Sequence, residues 1–355
     1  MITRINRKRC YHEKTVCPDH RRDDARFRRS FCRRGEGSEY FTWEGYFDET
    51  TLGGFIEETG IKVNYSVFSS NEEMLLKLQA NGGSEYDIIL ASDYAISTAR
   101  KEGLLLPLDK AKLTNWDNLN PDYLNQYFDP DNVYSVPYTA GAPMIVYDPA
   151  QVEGEITSFN DLWDEQFKDG VWLLNDARVQ LGAVLKSLGY SYNTTDEAQL
   201  KEASEKLNAL KPNTRVLDYD LTYNYLAAGE VKAAYLFTPY VIYSMMENPE
   251  LKAVFPEEGI GFGIDAIVIP VNAPHPENAH AFINYYLQAD VAKIVAEWQC
   301  YINVNQAADP LIDPGFKALS PFNIPAELLA TKEFVEDIGE AASLYQDIWT
   351  NFRLQ

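Results

Sequence analysis

Ten side chains stand where a chain of alternating strands and helices puts its working groups. They are Trp43, Glu44 and Tyr46, then Ser92, Asp93 and Tyr94, then Asp176, Phe237, Asp265 and Tyr301. Aromatics and carboxylates dominate this set, and it holds no Lys or Arg. Such a composition suits an alkylammonium ligand, because ring faces hold its methylenes and attract the cation while carboxylates accept charge-assisted hydrogen bonds. A phosphate or carboxylate ligand would instead require Arg, Lys or a glycine-rich loop. Asp265 stands out, since a carboxylate inside the apolar run GFGIDAIVIPV must find a partner or a ligand. The others have plainer roles open to them. Trp43, Phe237 and Tyr301 taken singly read as core aromatics, and Ser92 with Asp93 as a helix start. For Asp176, a cap on the helix ARVQLGAVLKSLG and a ligand contact are evenly balanced.

The elements around these residues are what position them, since ligands of open α/β sheets sit beyond the carboxyl ends of the strands. EYFTW reads as a strand, residues 49 to 59 as a helix, and IKVNYSVF as an alternating strand. The next helix starts at SSNEEMLLKLQA, where Ser70 or Asn71 can cap and Glu72 and Glu73 suit the N-terminal dipole. YDIILAS is then a buried strand leading into a helix through YAISTARKEG. The alternation returns with GVWLLN and its helix, and with VKAAYLF followed by PYVIYSMMEN, so two α/β lobes are predicted. YSVPY, GAPMIVYD and GIGFGIDAIVIP read as extended crossings between them, a hinge of strand segments. Residues 327 to 352 are helical in pattern and expected to close one lobe.

A chain of 355 residues suggests about two domains, each able to bury a core without disulfides. No apolar run approaches the roughly 18 to 20 residues that span a bilayer as a helix. The 31 Lys and Arg against 53 Asp and Glu give a formal net charge of -22, which repels phosphate backbones and argues against nucleic acid as a partner for the bulk of the chain. That charge is unevenly spread: residues 1 to 38 carry a net +7 and the remainder a net -29. The leader also holds Cys10, His12, Cys17, His20 and Cys32, and shows no apolar periodicity. A basic arm for nucleic acid, a small metal site and a stretch with no native role all compete for it, and the last is favoured. Its Cys and His spacing does not fit the paired short-spacing pattern of structural zinc. It also lacks the apolar segment of a secretory signal. Cys300 is the only cysteine beyond it, so cysteine usage leaves the compartment undecided.

FTWEGYF, EETGIKVNYSVFSSNEEMLLKL, YDIILASDY, KLTNWDNLNPDYLNQYFDPDNVYSVPY, LKSLGYSYNTTD and GEAASLYQDIWTNF together closely resemble the spermidine/putrescine-binding proteins of bacterial ABC importers. The resemblance runs from about residue 40 to the end of the chain. It implies a two-lobed periplasmic-binding-protein fold of type II, each lobe a mixed sheet with flanking helices, and a strand-type hinge. The lobes are expected at residues 39 to 142 plus 264 to 309, and at 143 to 263 plus 310 to 355. It further implies a polyamine clamped between them by Trp43, Tyr46, Ser92, Tyr94, Asp176, Phe237, Asp265 and Tyr301, to which Glu44 and Asp93 add carboxylates. Delivery to ABC permease subunits, a periplasmic or membrane-anchored location, and a monomer without cofactor, metal or catalytic residue follow from the same likeness. The chain departs from the family pattern at Val179, Gly263 and Val335, where relatives carry Glu, Trp and Gln, and at Phe237, where they carry Trp.

Two other readings are weighed. A ferric-ion binder of the same fold would want adjacent tyrosines and a His at the cleft. A hydrolase using Asp176 with Asp265 as acid and base stays open on residue types alone. Against it stands the lack of a candidate nucleophile or water-activating His, since His275 and His280 lie in NAPHPENAH. Because residues 1 to 38 lack a core pattern, deleting them is expected to leave melting temperature and polyamine affinity unchanged. Stoichiometric zinc on the leader, with stability lost on deletion, would contradict this.

Overall fold

Capping side chains set where several helices begin. Asp48 accepts from the Thr51 N–H and opens α1 (Glu49–Thr59), which Gly60 ends in the left-handed conformation at φ 73°. Ser70 accepts from the Glu73 N–H and opens α2 (Asn71–Asn81). The strands alternating with them are β1 (Ser38–Trp43), β2 (Val63–Phe68) and β3 (Ile88–Ser92), and α3 (Asp93–Lys101) follows β3 directly. β4 (Ser135–Gly141), β5 (Pro143–Tyr147) and β6 (Val171–Leu173) come next, then α4 (Ala177–Ser187) and α5 (Glu197–Ala209). β7 (Thr214–Leu217), β8 (Ala233–Phe237), α6 (Thr238–Glu247), β9 (Lys252–Val254) and β10 (Gly261–Val268) follow. The chain continues through α7 (Pro276–Tyr286), α8 (Ala289–Gln299), α9 (Pro314–Lys317), α10 (Ala326–Ala330), β11 (Glu333–Phe334) and α11 (Ala341–Leu354). This computed structural model describes residues 37 to 218 and 224 to 354. The leader cysteines and histidines lie outside the described residues, whereas Ser38, assigned to the leader from sequence, is a buried residue of β1 paired with Val63.

The strands form two mixed sheets. One has the order β11-β10-β3-β1-β2, with β4 also paired to β10, and the other the order β7-β6-β8-β5-β9. β1 runs parallel to β2 and β3, while β10 is antiparallel to β3 and β4. In the second sheet β6 is parallel to β7 and β8, and β5 antiparallel to β8 and β9. Only the buried Ala142 separates β4 in the first sheet from β5 in the second, so the sheets are joined there by nearly continuous extended chain. The interior falls into two apolar clusters. One gathers Phe41, Ile89, Ile267 and Phe282 and the other Leu173, Leu181, Tyr235 and Trp349.

The helix expected over residues 327 to 352 is interrupted. β11 pairs parallel with Gly261 and Phe262, and Glu333 accepts from Lys186 Nζ at 2.5 Å, Ser191 Oγ at 2.7 Å and the Tyr192 N–H at 2.9 Å. These partners are distant in sequence, so local periodicity does not contain them.

Tyr192 sets the spacing between α4 and β10. Its fully buried ring lies against Gly182 of α4 and Gly261 of β10, and its hydroxyl donates to the Val179 carbonyl at 2.9 Å. A Cβ at either glycine would overlap the ring. Gly182→Ala or Gly261→Ala should therefore lower stability by about 1 to 3 kcal/mol, as overpacking in a filled interior does. Denaturant melts of both variants test this, and wild-type midpoints would show that the ring can move.

Candidate functional site

Asp265 lies in the middle of β10, and with Gly263 it is one of the strand's two half-buried positions among otherwise buried residues. Its register partners are Ser92 on β3 and Thr139 on β4. The Tyr46 hydroxyl donates to the Asp265 carboxylate, and the Ser92 side chain also hydrogen-bonds it. Tyr301 completes this group, with its ring centroid 6.3 Å from that of Tyr46. Three features hold Tyr301 in place. α8 ends at Cys300 in the left-handed conformation, the Ile302 N–H donates to the Ala140 carbonyl at 2.8 Å, and Gly141 leaves room for the ring.

The turn carrying Tyr46 is clamped from α8 and β4. The Tyr46 carbonyl accepts from Gln299 Nε2 at 2.5 Å and from the Tyr138 hydroxyl at 2.9 Å, while Trp298 Nε1 donates to the Gly45 carbonyl at 3.3 Å. Trp43 packs edge-on against Phe68 at 4.4 Å, and its buried Nε1 has no hydrogen-bond partner among the described residues. Tyr94 accepts from Asn71 Nδ2 at 3.0 Å and donates to Glu72 at 3.2 Å. Asp176 caps α4 by accepting from the Val179 N–H at 3.0 Å and remains half-buried rather than enclosed. Phe237 stands half-buried at the N-cap of α6 and packs against both apolar clusters.

Two expected contacts differ. Asp93 is 1% exposed, and its carboxylate accepts from the backbone N–H groups of Tyr94 at 2.8 Å and Ile264 at 3.2 Å. It ties the start of α3 to β10, its carboxylate enclosed and engaged by these backbone bonds. Glu44 is exposed in the turn after β1 and forms no bond with the other nine. Tyr46, Ser92, Asp265 and Tyr301 are thus brought together, while Asp93 and Glu44 do not join them. Sequence reasoning missed Gln299 and Tyr138, for which no local signal exists. It also missed Glu72, although its place in the first turn of α2 was visible.

The electrostatics follow from burial. Desolvation raises the Asp265 carboxyl above the usual carboxylate range, with the bonds from Tyr46 and Ser92 opposing. Burial does the same to Asp176, against its backbone bonds and Arg178. Asp93 is pushed well above the range by burial, with Asp265 adding to it and Ile264, Tyr94 and Arg178 opposing. None of the three forms an ion pair among the described residues. Arg178 is the cation nearby, but its guanidinium is occupied by the Glu336 carbonyl at 2.9 Å and Asn193 Oδ1 at 2.8 Å.

Residues 54–320 match the pattern of a family described as bacterial extracellular solute-binding protein. The chain is 37% identical over 318 residues to the spermidine/putrescine-binding periplasmic protein of Salmonella typhimurium, covering 88% of this chain and 90% of the relative. It is 36% identical over 315 residues, with the same coverage, to the protein of that name from Escherichia coli. Among solved structures it resembles the spermidine/putrescine ABC transporter substrate-binding protein PotD from Streptococcus pneumoniae. That likeness has a TM-score of 0.80 and 34% identity, over 90% of this chain and 99% of that one. Among the described residues no helix is long and apolar enough to cross a membrane.

A carboxyl whose pKa is raised by folding keeps its proton in the folded state where the unfolded chain has lost it, so its contribution favours folding at low pH and is lost as pH rises. Replacing Asp265 by Asn removes that contribution while keeping the acceptor for Tyr46. Unliganded Asp265→Asn should melt at or above the wild type at neutral pH. The difference should close as pH falls toward the ordinary Asp value of about 3.9. Melting curves across a pH series measure this, and an Asn advantage that widens on acidification would contradict the assignment.

Proposed function

The chain belongs to the bacterial extracellular solute-binding protein family, and from that premise we propose that it captures a polyamine, putrescine or spermidine, and delivers it to the permease subunits of an ABC importer. It is a transport protein and not an enzyme. The family is extracytoplasmic, and the working location is the periplasm or the outer side of the membrane. The single observation that carries the ligand class is the Asp265 carboxylate, half-buried, bonded by Tyr46 and Ser92 and given no cation by the described residues. An ammonium group restores the missing charge, and the rings of Tyr46, Tyr301, Trp43 and Phe237 suit its methylenes. Asp176 with Tyr94 is the second locus for a terminal amine.

Asp265 and Tyr46 go with the sheet that holds β1, β3, β4 and β10, and Asp176 and Phe237 with the sheet that holds β6 and β8; the lobe bounds expected at residues 264 and 310 do not follow the sheets, since all of β10 (Gly261–Val268) and β11 (Glu333–Phe334) lie in the first. A ligand that contacts both binds the closed arrangement better and shifts the population toward it. The unit of function is a monomer.

A thermal-shift panel tests the class. Putrescine or spermidine should raise the melting temperature, while amino acids, sugars and phosphate should not. Stabilisation by a sugar with none by an amine would end the polyamine reading. Asp265→Asn should weaken polyamine binding by roughly 10- to 100-fold, since a charged hydrogen bond contributes about 1.5 to 3 kcal/mol and each 1.4 kcal/mol is about tenfold. Titration calorimetry on that variant decides whether the residue takes part.

A further inference from the structure

Glycines near the site divide by the reason they are glycine. Gly141 faces the Tyr301 ring, whose Cδ1 would lie 2.8 Å from an added Cβ, and Gly182 and Gly261 face the buried Tyr192 ring. Their side chains are excluded by packing. Gly263 is different. It has no left-handed φ to demand glycine, and a Cβ built on it would meet nothing within 4 Å. A glycine inside a strand is unfavourable for backbone order and marks places where a ligand comes close to the main chain.

Its position supplies the ligand. Gly263 precedes Asp265 by two residues, so the two point to the same face of β10, roughly 7 Å apart. They are the strand's two half-buried positions, while Phe262 and Ile264 are buried on the opposite face. The cross-strand partner of Gly263 is Gly141, which carries no side chain over it either. Beside the Asp265 carboxylate the sheet is therefore a bare backbone shelf, with the Tyr301 ring packed over its Gly141 side.

We propose that Gly263 determines specificity at the Asp265 end of the site: the bare shelf admits an uncharged alkyl arm on the nitrogen that Asp265 holds, so that N-alkylated polyamines are ligands alongside unsubstituted ones. An N-alkyl amine stays protonated and keeps N–H donors for the carboxylate, and its arm lies on the glycine backbone. A large side chain at residue 263 would fill the same volume and reject the arm while leaving the carboxylate in place. This inference rests on the polyamine reading above.

The test is calorimetric titration of the full chain with putrescine and with N-ethylputrescine. The wild type should bind the two within about fivefold of each other. Gly263→Trp should lose about tenfold or more in affinity for N-ethylputrescine with little change for putrescine, the size expected when a pocket for one or two methylenes is filled. Gly263→Val, whose β-branched side chain suits a strand, should show the same selective loss at smaller size and serves if the Trp variant does not fold. A wild type that binds putrescine but rejects N-ethylputrescine overturns this inference alone. So does a variant that keeps the wild-type ratio or loses both ligands equally. A wild type that binds spermidine but neither of these two amines also overturns this inference alone, and one that binds none of the three overturns the polyamine reading together with it.

Discussion

A carboxylate in the middle of a buried strand governs this molecule. β10 pairs with β3 on one side and β4 on the other, and Asp265 opens out of a row of buried residues between them. Burying an unpaired charge is costly, and the raised pKa of Asp265 is the direct expression of that cost. Two hydroxyls, from Tyr46 and Ser92, offset part of it, but hydrogen bonds alone do not neutralise a charge. What remains is a half-buried carboxylate with no cation beside it among the described residues, the feature on which the proposed amine contact rests.

The surrounding structure keeps that deficit in place. Tyr46 could swing away from Asp265 were its turn free, yet Gln299, Tyr138 and Trp298 bind the turn's carbonyls. Asp93 fixes the start of α3 to β10 through the Ile264 N–H, next to Asp265 in the strand. Tyr192, filling the space left by Gly182 and Gly261, sets how close α4 and its cap Asp176 come to β10.

Arg178 shows how local charge counting can mislead. It lies two residues after Asp176 and favours the charged forms of Asp93 and Asp176, but a carbonyl and an amide engage its guanidinium, and its cation face meets the Tyr345 ring at 5.2 Å. It is held as a structural link between α4, the segment around Glu336 and α11. Arg178 therefore forms no ion pair with Asp93, Asp176 or Asp265 among the described residues despite its nearness.

Sequence alone determined the strand and helix order through β3, α2 and α4, because β3 is a continuous apolar run and each helix carries its own capping residue: Ser70 and Asp176 cap where their types and positions predict. It also determined that Asp265 is a carboxylate that must be answered, since an acid within an apolar strand is visible as such. Tertiary structure decided the rest. Which of Asp93 and Asp265 is enclosed by backbone bonds depended on which N–H groups were within reach, and the Ile264 N–H that claims Asp93 lies 171 residues away in the chain. The break of the last helix by β11 depended on a free length of β10 and on Lys186, Ser191 and Tyr192 converging on Glu333. Periodicity and capping are local properties and survive translation into sequence. Hydrogen-bond competition and the packing of a ring against two glycines are decided only when distant segments meet.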